Sequence, residues 1–299
     1  MTLNTLNTLN TLNAGNAAGG SSNAVDAAGG WVFPDRIDLP FVDDPNVNPA
    51  LLPIVANGYR DNKWSAVWWA WRALTEFAQL PWVATLTPAV NAPVLAQAAV
   101  QTEIDTLLDM ARFERADALG EIMSQKDEFV SYFMQLLMAS PTSRPHTYRV
   151  LHMANLLGCF CVMYFKAQFR RQRPSEICPV LLPPVPVPGH ASYPSGHSTQ
   201  AHLIAHCAGF LLPAAVQAVV QTNLDALAAR IARNREIAGL HYASDSDAGQ
   251  ALATGPHGIA AMLDADFAAY QANLTNTALP PAKLPSYAAA MAAAQAEWA

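Results

Sequence analysis

The chain has 299 residues, of which 52% are apolar and only 13% charged, with a net charge of −6 at neutral pH. That size allows a buried core, while the acidic balance and the lack of a basic tract exclude a nucleic-acid surface. Any anion site must therefore be a local cationic pocket on an acidic protein.

Residues 1–29 read as a disordered low-complexity tail: Thr-Leu-Asn recurs from Thr2 to Asn13, and an Ala/Gly/Asn-rich stretch follows. The basic start and apolar stretch of a secretory leader are missing. Residues 30–299 are expected to form one domain, with 30–60, rich in Pro, Asp and Asn, as an irregular wrapping segment. Asn62–Gln79 reads as a helix whose Trp64, Trp68 and Trp71, at helical spacing, are expected in the core. After a break at 81–91, two or more helices fill 93–139, with Phe113, Ala116, Gly120 and Met123 as an apolar face. A helix from about Thr147 to Arg171 is stopped by Pro174. Its most apolar run, Val150–Phe165, falls about a turn short of a membrane span and carries His152 and Asn155, so no span is expected. Five prolines between Pro179 and Pro188 predict an extended wall. Helices resume at about Ser195, over 222–238, after Ser244, and over Ser286–Trp298. Ser244-x-x-Asp247 and Ser286 offer caps for the last two. With little that reads as strand, the class is all-α. Cys159, Cys161, Cys178 and Cys207 lack zinc-finger spacing and read as free thiols.

Three polar clusters interrupt this apolar background. Lys166 and Arg173, seven apart on a helix, would lie on nearly one face and could reach one anion; a solvated face, with Arg170 and Arg171 beside it, is the plainer reading. Pro194-Ser195-Gly196-His197 opens a helix, where free N–H groups, a glycine and a hydroxyl suit an oxyanion, and His197 could move protons; a simple Ser195 cap is the alternative. Arg235, His241 and Asp245 form the third cluster. Gly239 ends the preceding helix, and Asp245 lies close enough to hold one ring nitrogen of His241 and leave the other free; a structural Arg–Asp pair is the bland alternative. His202 and His206 are four apart but lack the Glu of H-E-x-x-H, so they read as core or supporting histidines. Pro-Ser-Gly-His is also not the G-x-S-x-G elbow of serine hydrolases.

In order, these clusters resemble the signature of the vanadium haloperoxidase and type-2 phosphatidic acid phosphatase superfamily. The elements are Lys166-AQFRRQ-Arg173-Pro174, Pro194-Ser195-Gly196-His197 and Asn234-Arg235-EIAGL-His241-YAS-Asp245, Asn234 standing where the phosphatases carry Ser. The resemblance implies an all-α helical bundle of the vanadium haloperoxidase/acid phosphatase type, with the active site in its core. It implies that Lys166, Arg173 and Arg235 neutralise an oxyanion to which Ser195 and Gly196 hydrogen-bond. His197 would be the acid–base, His241 the residue bonded to vanadium or phosphorus, and Asp245 its orienter.

Vanadate and phosphate are alike in shape and charge, so one pocket can serve either. The sequence points first to a vanadate-dependent haloperoxidase that oxidises bromide or iodide with hydrogen peroxide. His190, seven residues before His197, resembles the algal bromoperoxidases there and would tune the halide step. Asn234 and the expected absence of a leader or span point the same way, although Met163 stands where fungal chloroperoxidases carry Trp. The alternative is a soluble acid phosphatase that hydrolyses phosphomonoesters through a phosphohistidine and needs no cofactor. A non-catalytic anion-binding protein is the third reading. A soluble protein is expected, cytoplasmic or exported by an unrecognised route, with small-molecule substrates, no nucleic acid and no membrane span; homo-oligomerisation is left open.

Overall fold

A computed structural model of the chain describes residues 53, 55, 56, 58–60 and 63–299. The expectations for residues 1–29 lie outside the described residues, as do most of those for 30–60. Two units are present, Met1–Trp68 and Trp69–Ala299. In the first, the rings of Tyr59 and Trp64 meet edge-to-face at 5.7 Å. The core and the polar clusters lie in the second.

The described residues are helical and contain no strand, as the sequence predicts. The helices are α1 (Ala66–Phe77), α2 (Trp82–Leu86), α3 (Gln97–Phe113), α4 (Arg115–Gln125), α5 (Val130–Leu136) and α6 (Pro145–Phe169). There follow α7 (Pro174–Ile177), α8 (Gly196–Phe210), α9 (Ala214–Ile237), α10 (Ala243–Thr254), α11 (Ile259–Thr275) and α12 (Pro285–Ala296). α8 is the central helix and packs on α6, α9 and α10. Glycines set two of these approaches. A side-chain carbon at Gly158 of α6 would stand 3.3 Å from the Gln200 Cα on α8. One at Gly249 of α10 would stand 2.7 Å from the Ser195 carbonyl oxygen. The second approach brings the middle of α10 against the start of α8, beside the polar clusters.

Several local expectations are corrected. α1 begins at Ala66, so Trp64 precedes it; Trp64, Trp68 and Trp71 are exposed, and it is Trp69 that enters the core, beneath the Arg149 guanidinium. Phe113, Ala116, Gly120 and Met123 also face outward. Ile104, Leu107, Met110 and Ile122 are buried in a second apolar cluster with Leu181, Ile237 and Tyr242. α6 ends at Phe169, where Arg170 turns into the left-handed region (φ 54°), and not at Pro174, which instead opens α7. Lys166 and Arg173 therefore do not share a helix face. Pro179–Leu181 form a short 3-10 turn inside the proline-rich wall.

The caps predicted at Ser244 and Ser286 are replaced by carboxylates from distant segments. Glu103 accepts from the Ser244 N–H at 2.8 Å, Glu76 from the Ser286 N–H at 3.0 Å, and Glu297 from the His146 and Thr147 N–H groups at 2.8 and 2.9 Å. Each places negative charge where a helix start is electropositive. The four cysteines are free thiols.

The expected absence of a membrane span does not hold. α6 is longer than the Val150–Phe165 run, and Pro145–Ile177 is long and apolar enough to cross a membrane by length and composition, with a mean hydropathy of 1.4 over its most apolar 18 residues. In this fold 61% of that window is buried inside the protein.

Candidate active site

The residues singled out from the three motifs lie in the second unit, at or near helix ends. Ser195 is the N-cap of α8, its Oγ accepting from the Ser198 N–H at 3.4 Å. Its hydroxyl proton stays available to a ligand. The Ser195 N–H donates to the Asp245 carbonyl oxygen at 2.8 Å, tying the starts of α8 and α10 together. A side-chain carbon at Gly196 would meet only Gln200 Oε1 at 3.7 Å and Val162 Cγ1 at 3.8 Å. Protein packing therefore does not require this glycine, and its N–H, at the start of α8, can donate to a bound group. Gly239 ends the segment after α9 at φ 74° and releases His241 into the turn before α10.

His241 and Asp245 are buried and bonded through Nδ1 and Oδ2 at 3.0 Å. Asp245 Oδ2 also accepts from Ser192 Oγ and from the Tyr242 N–H at 3.1 Å, and its Oδ1 accepts from Arg171 NH1 at 2.8 Å. Burial alone would raise the Asp245 carboxyl. The His241 hydrogen bond and the charge of Arg171 outweigh it and hold the group below its usual range. Burial pushes the His241 imidazole down to about 3 against the pull of Asp245, with Lys166 and Arg173 adding to the burial. A neutral ring that donates Nδ1–H to Asp245 carries its lone pair on Nε2.

Three buried cations belong to the site, Lys166 and Arg173 acting on His241 and Arg235 on His197. Lys166 donates to the Ala191 and Ser192 carbonyls at 2.9 and 2.6 Å, which leaves one ammonium proton free. Burial, reinforced by Arg173, lowers it to about 7. Arg173 donates from Nε to the His190 carbonyl at 3.0 Å and from NH1 to the Leu240 carbonyl at 2.8 Å, and burial lowers it to about 10. Arg235 donates from NH2 to the Ile122 carbonyl at 2.9 Å, while its Nε and NH1 are buried without a partner. Buried guanidinium donors without partners are rare and call for an explanation. An oxyanion among Arg235, Lys166 and Arg173 would satisfy them, so the donor set fits phosphate or vanadate.

His197 lies one residue beyond Gly196. Its Nε2 is 3.0 Å from the Gln125 carbonyl and its ring packs on Phe129, so the lone pair is on Nδ1. Burial and the charge of Arg235 push it well below the usual histidine range. His190 is exposed at the edge of this region, with Nδ1 3.1 Å from Arg173 NH2. Asn234 turns away to donate to Glu121 and Gln125 at 2.9 and 2.8 Å. His202 and His206 lie further along α8 on a cleft of about 420 Å³ that also includes Asp225 and Gln250 and holds none of the three cations.

Sequence reasoning missed Arg171, Ser192, Glu103 and Gln125. Arg171 was counted with Arg170 as solvated, yet it is buried and Arg170 exposed. Ser192 and Glu103 reach Asp245 and the start of α10 only through tertiary packing. Gln125 acts through a main-chain carbonyl, which has no sequence signature.

The sequence matches no family profile and no curated protein. Among solved structures it is similar to the first transmembrane PAP2 type phosphatidylglycerolphosphate phosphatase from Bacillus subtilis, with a TM-score of 0.45 and 13% identity, over 65% of this chain and 96% of that one. A superposition of that degree fixes neither family nor activity. The expectation of a soluble chain without a membrane segment is corrected on this chain's own α6, which is long and apolar enough to cross a membrane.

Proposed function

We propose that the chain is a phosphatase of the type-2 phosphatidic acid phosphatase kind, hydrolysing a phosphomonoester through a phosphohistidine on His241. The observation that carries this reading is Arg235 Nε and NH1, buried without partners and acting on His197, together with a His241 held by Asp245 so that its Nε2 is free. Lys166, Arg173, Arg235, Ser195 Oγ and the Gly196 N–H would hold the phosphoryl oxygens and stabilise the charge spread over them during transfer.

In the first half-reaction His241 Nε2 attacks phosphorus, the N–P bond forms and the ester P–O bond breaks. His197 gives its proton to the departing oxygen. His197 takes up that proton from solvent as the substrate binds: the phosphoryl dianion offsets the charge of Arg235 and Lys166, which together with burial otherwise keeps the ring neutral. In the second half, His197 Nδ1 takes a proton from water as it attacks phosphorus, the N–P bond breaks, and inorganic phosphate leaves. Asp245 keeps the ring proton of His241 on Nδ1 throughout.

Two of the three features that pointed first to a haloperoxidase lose their weight. Asn234 binds Glu121 and Gln125, so its departure from Ser belongs to packing. The expected absence of a span no longer weighs against a phosphatase, since α6 is long and apolar enough to cross a membrane. His190 beside Arg173 is the observation that still favours that second reading. The same cradle would hold vanadate, with His241 Nε2 as its protein ligand, and bound vanadate would supply peroxide activation for halide oxidation. Paired assays on metal-free protein test the choice. A chromogenic phosphomonoester should be hydrolysed, and vanadate should inhibit. Bromide oxidation with added vanadate and peroxide, without phosphoester hydrolysis, would overturn the phosphatase reading.

A further inference from the structure

We propose that Arg171, held by Glu103, is a positioning residue that fixes the Asp245 carboxylate so that His241 presents Nε2 to the substrate. This rests on the phosphatase reading for its kinetic consequence, but its geometry is independent of it. Asp245 has two oxygens with different tasks. Oδ2 takes the His241 ring, Ser192 and the Tyr242 N–H, and Oδ1 is bound by Arg171 NH1 at 2.8 Å. The same NH1 donates to Ser244 Oγ at 2.7 Å, and NH2 donates to Glu103 Oε2 at 2.9 Å. The guanidinium lies 3.8 Å above the Tyr242 ring. A planar fork pinned on an aromatic face and gripped from α3 cannot follow a rotating carboxylate; it must hold it.

Arg171 does not belong to the oxyanion cradle. Its donors are directed at Asp245, Ser244 and Glu103, whereas the free donors of the site belong to Lys166, Arg173 and Arg235. Its position explains an otherwise costly arrangement, since Asp245 is wholly buried and needs a cation that the substrate will not neutralise. Glu103 completes the device. It grips Arg171 and also accepts from the Ser244 N–H at 2.8 Å, so one residue of α3 sets both the start of α10 and the cation. Without Arg171 the carboxylate loses its anchor on Oδ1 and is held through Oδ2 alone, so the ring proton of His241 is less firmly confined to Nδ1.

The test compares Arg171→Ala, Arg171→Lys and Glu103→Gln with the unaltered full-length chain by nitrogen-15 NMR of the histidine rings and by phosphomonoester kinetics. In the unaltered chain His241 should show a protonated Nδ1 and an unprotonated Nε2. In Arg171→Ala both nitrogens should move toward averaged values, and kcat should fall about 10²-fold or more. KM and the affinity for inorganic phosphate should change less than about threefold. Arg171→Lys, which keeps one donor to Asp245, should recover part of the loss, and Glu103→Gln should cost about tenfold. An unchanged His241 signature in Arg171→Ala would overturn the proposal, whatever happens to thermal stability or to KM. If Arg171→Ala does not fold, the other two variants decide by the same readout. If the unaltered chain hydrolyses no phosphomonoester, the phosphatase reading fails, and the ring signature still judges Arg171.

Discussion

Arg235→Met separates binding from stability, because Arg235 is a poor contributor to the empty fold. The substitution removes one charge-assisted bond, NH2 to the Ile122 carbonyl, worth about 1.5–3 kcal/mol. It also relieves two buried donor atoms without partners, Nε and NH1, at about 1–3 kcal/mol each. The relief, about 2–6 kcal/mol in all, matches or exceeds the loss, so the anion-free protein should lose no more than about 1 kcal/mol and could gain up to about 4 kcal/mol. With phosphate at a hundred times its Kd, the unaltered protein gains about 2.7 kcal/mol, a rise in Tm of about 5–10 °C. The variant lacks two charge-assisted bonds to the anion, together about 3–6 kcal/mol, so its affinity should fall about 10²- to 10⁴-fold and the phosphate-induced rise should vanish. Thermal unfolding with and without phosphate, backed by calorimetric titration, measures both quantities. A variant that keeps the full phosphate-induced rise would refute the assignment of Arg235 to the oxyanion.

Sulfate binding should weaken as pH rises through about 7, by up to about tenfold per pH unit, because Lys166 loses its charge there while sulfate stays dianionic. The sign follows from linkage: above pH 7 binding must first restore a proton to Lys166, and titration calorimetry at pH 6, 7 and 8 reads it. A flat profile would dissociate Lys166 from the site. Asp245→Asn should leave phosphate affinity within about tenfold but cut kcat about 10³- to 10⁴-fold through the wrong His241 tautomer, and steady-state kinetics with a phosphomonoester check it. His190→Ala should change phosphate affinity less than about threefold, measured by calorimetry, since His190 touches Arg173 from outside the cradle.

Legibility in the sequence follows the range of the interaction. Ser195 as cap and Gly239 as terminator are local signals, and both stand as read. They bring His197, His241 and Asp245 to helix ends, so the motif residues gather where their spacing suggests. The partner of each cation is not local. Arg170 and Arg171 are neighbours of one type, and only the left-handed turn at Arg170 sends the second inward. The caps at α6, α10 and α12 come from Glu297, Glu103 and Glu76, far away in the chain, so Ser244 and Ser286 carry no local signal of what caps their helices. The tryptophan stripe and the Phe113–Met123 face have helical period, yet period does not say which face meets the core.

The central claim is that His241 Nε2 forms the bond to phosphorus. Rapid mixing with a phosphomonoester, an alkaline quench that preserves phosphohistidine, and peptide mass spectrometry test it most directly. The phosphoryl group should appear on His241 within one turnover and be lost in His241→Ala. A phosphoryl group on any other residue, or turnover that persists in His241→Ala, would contradict it.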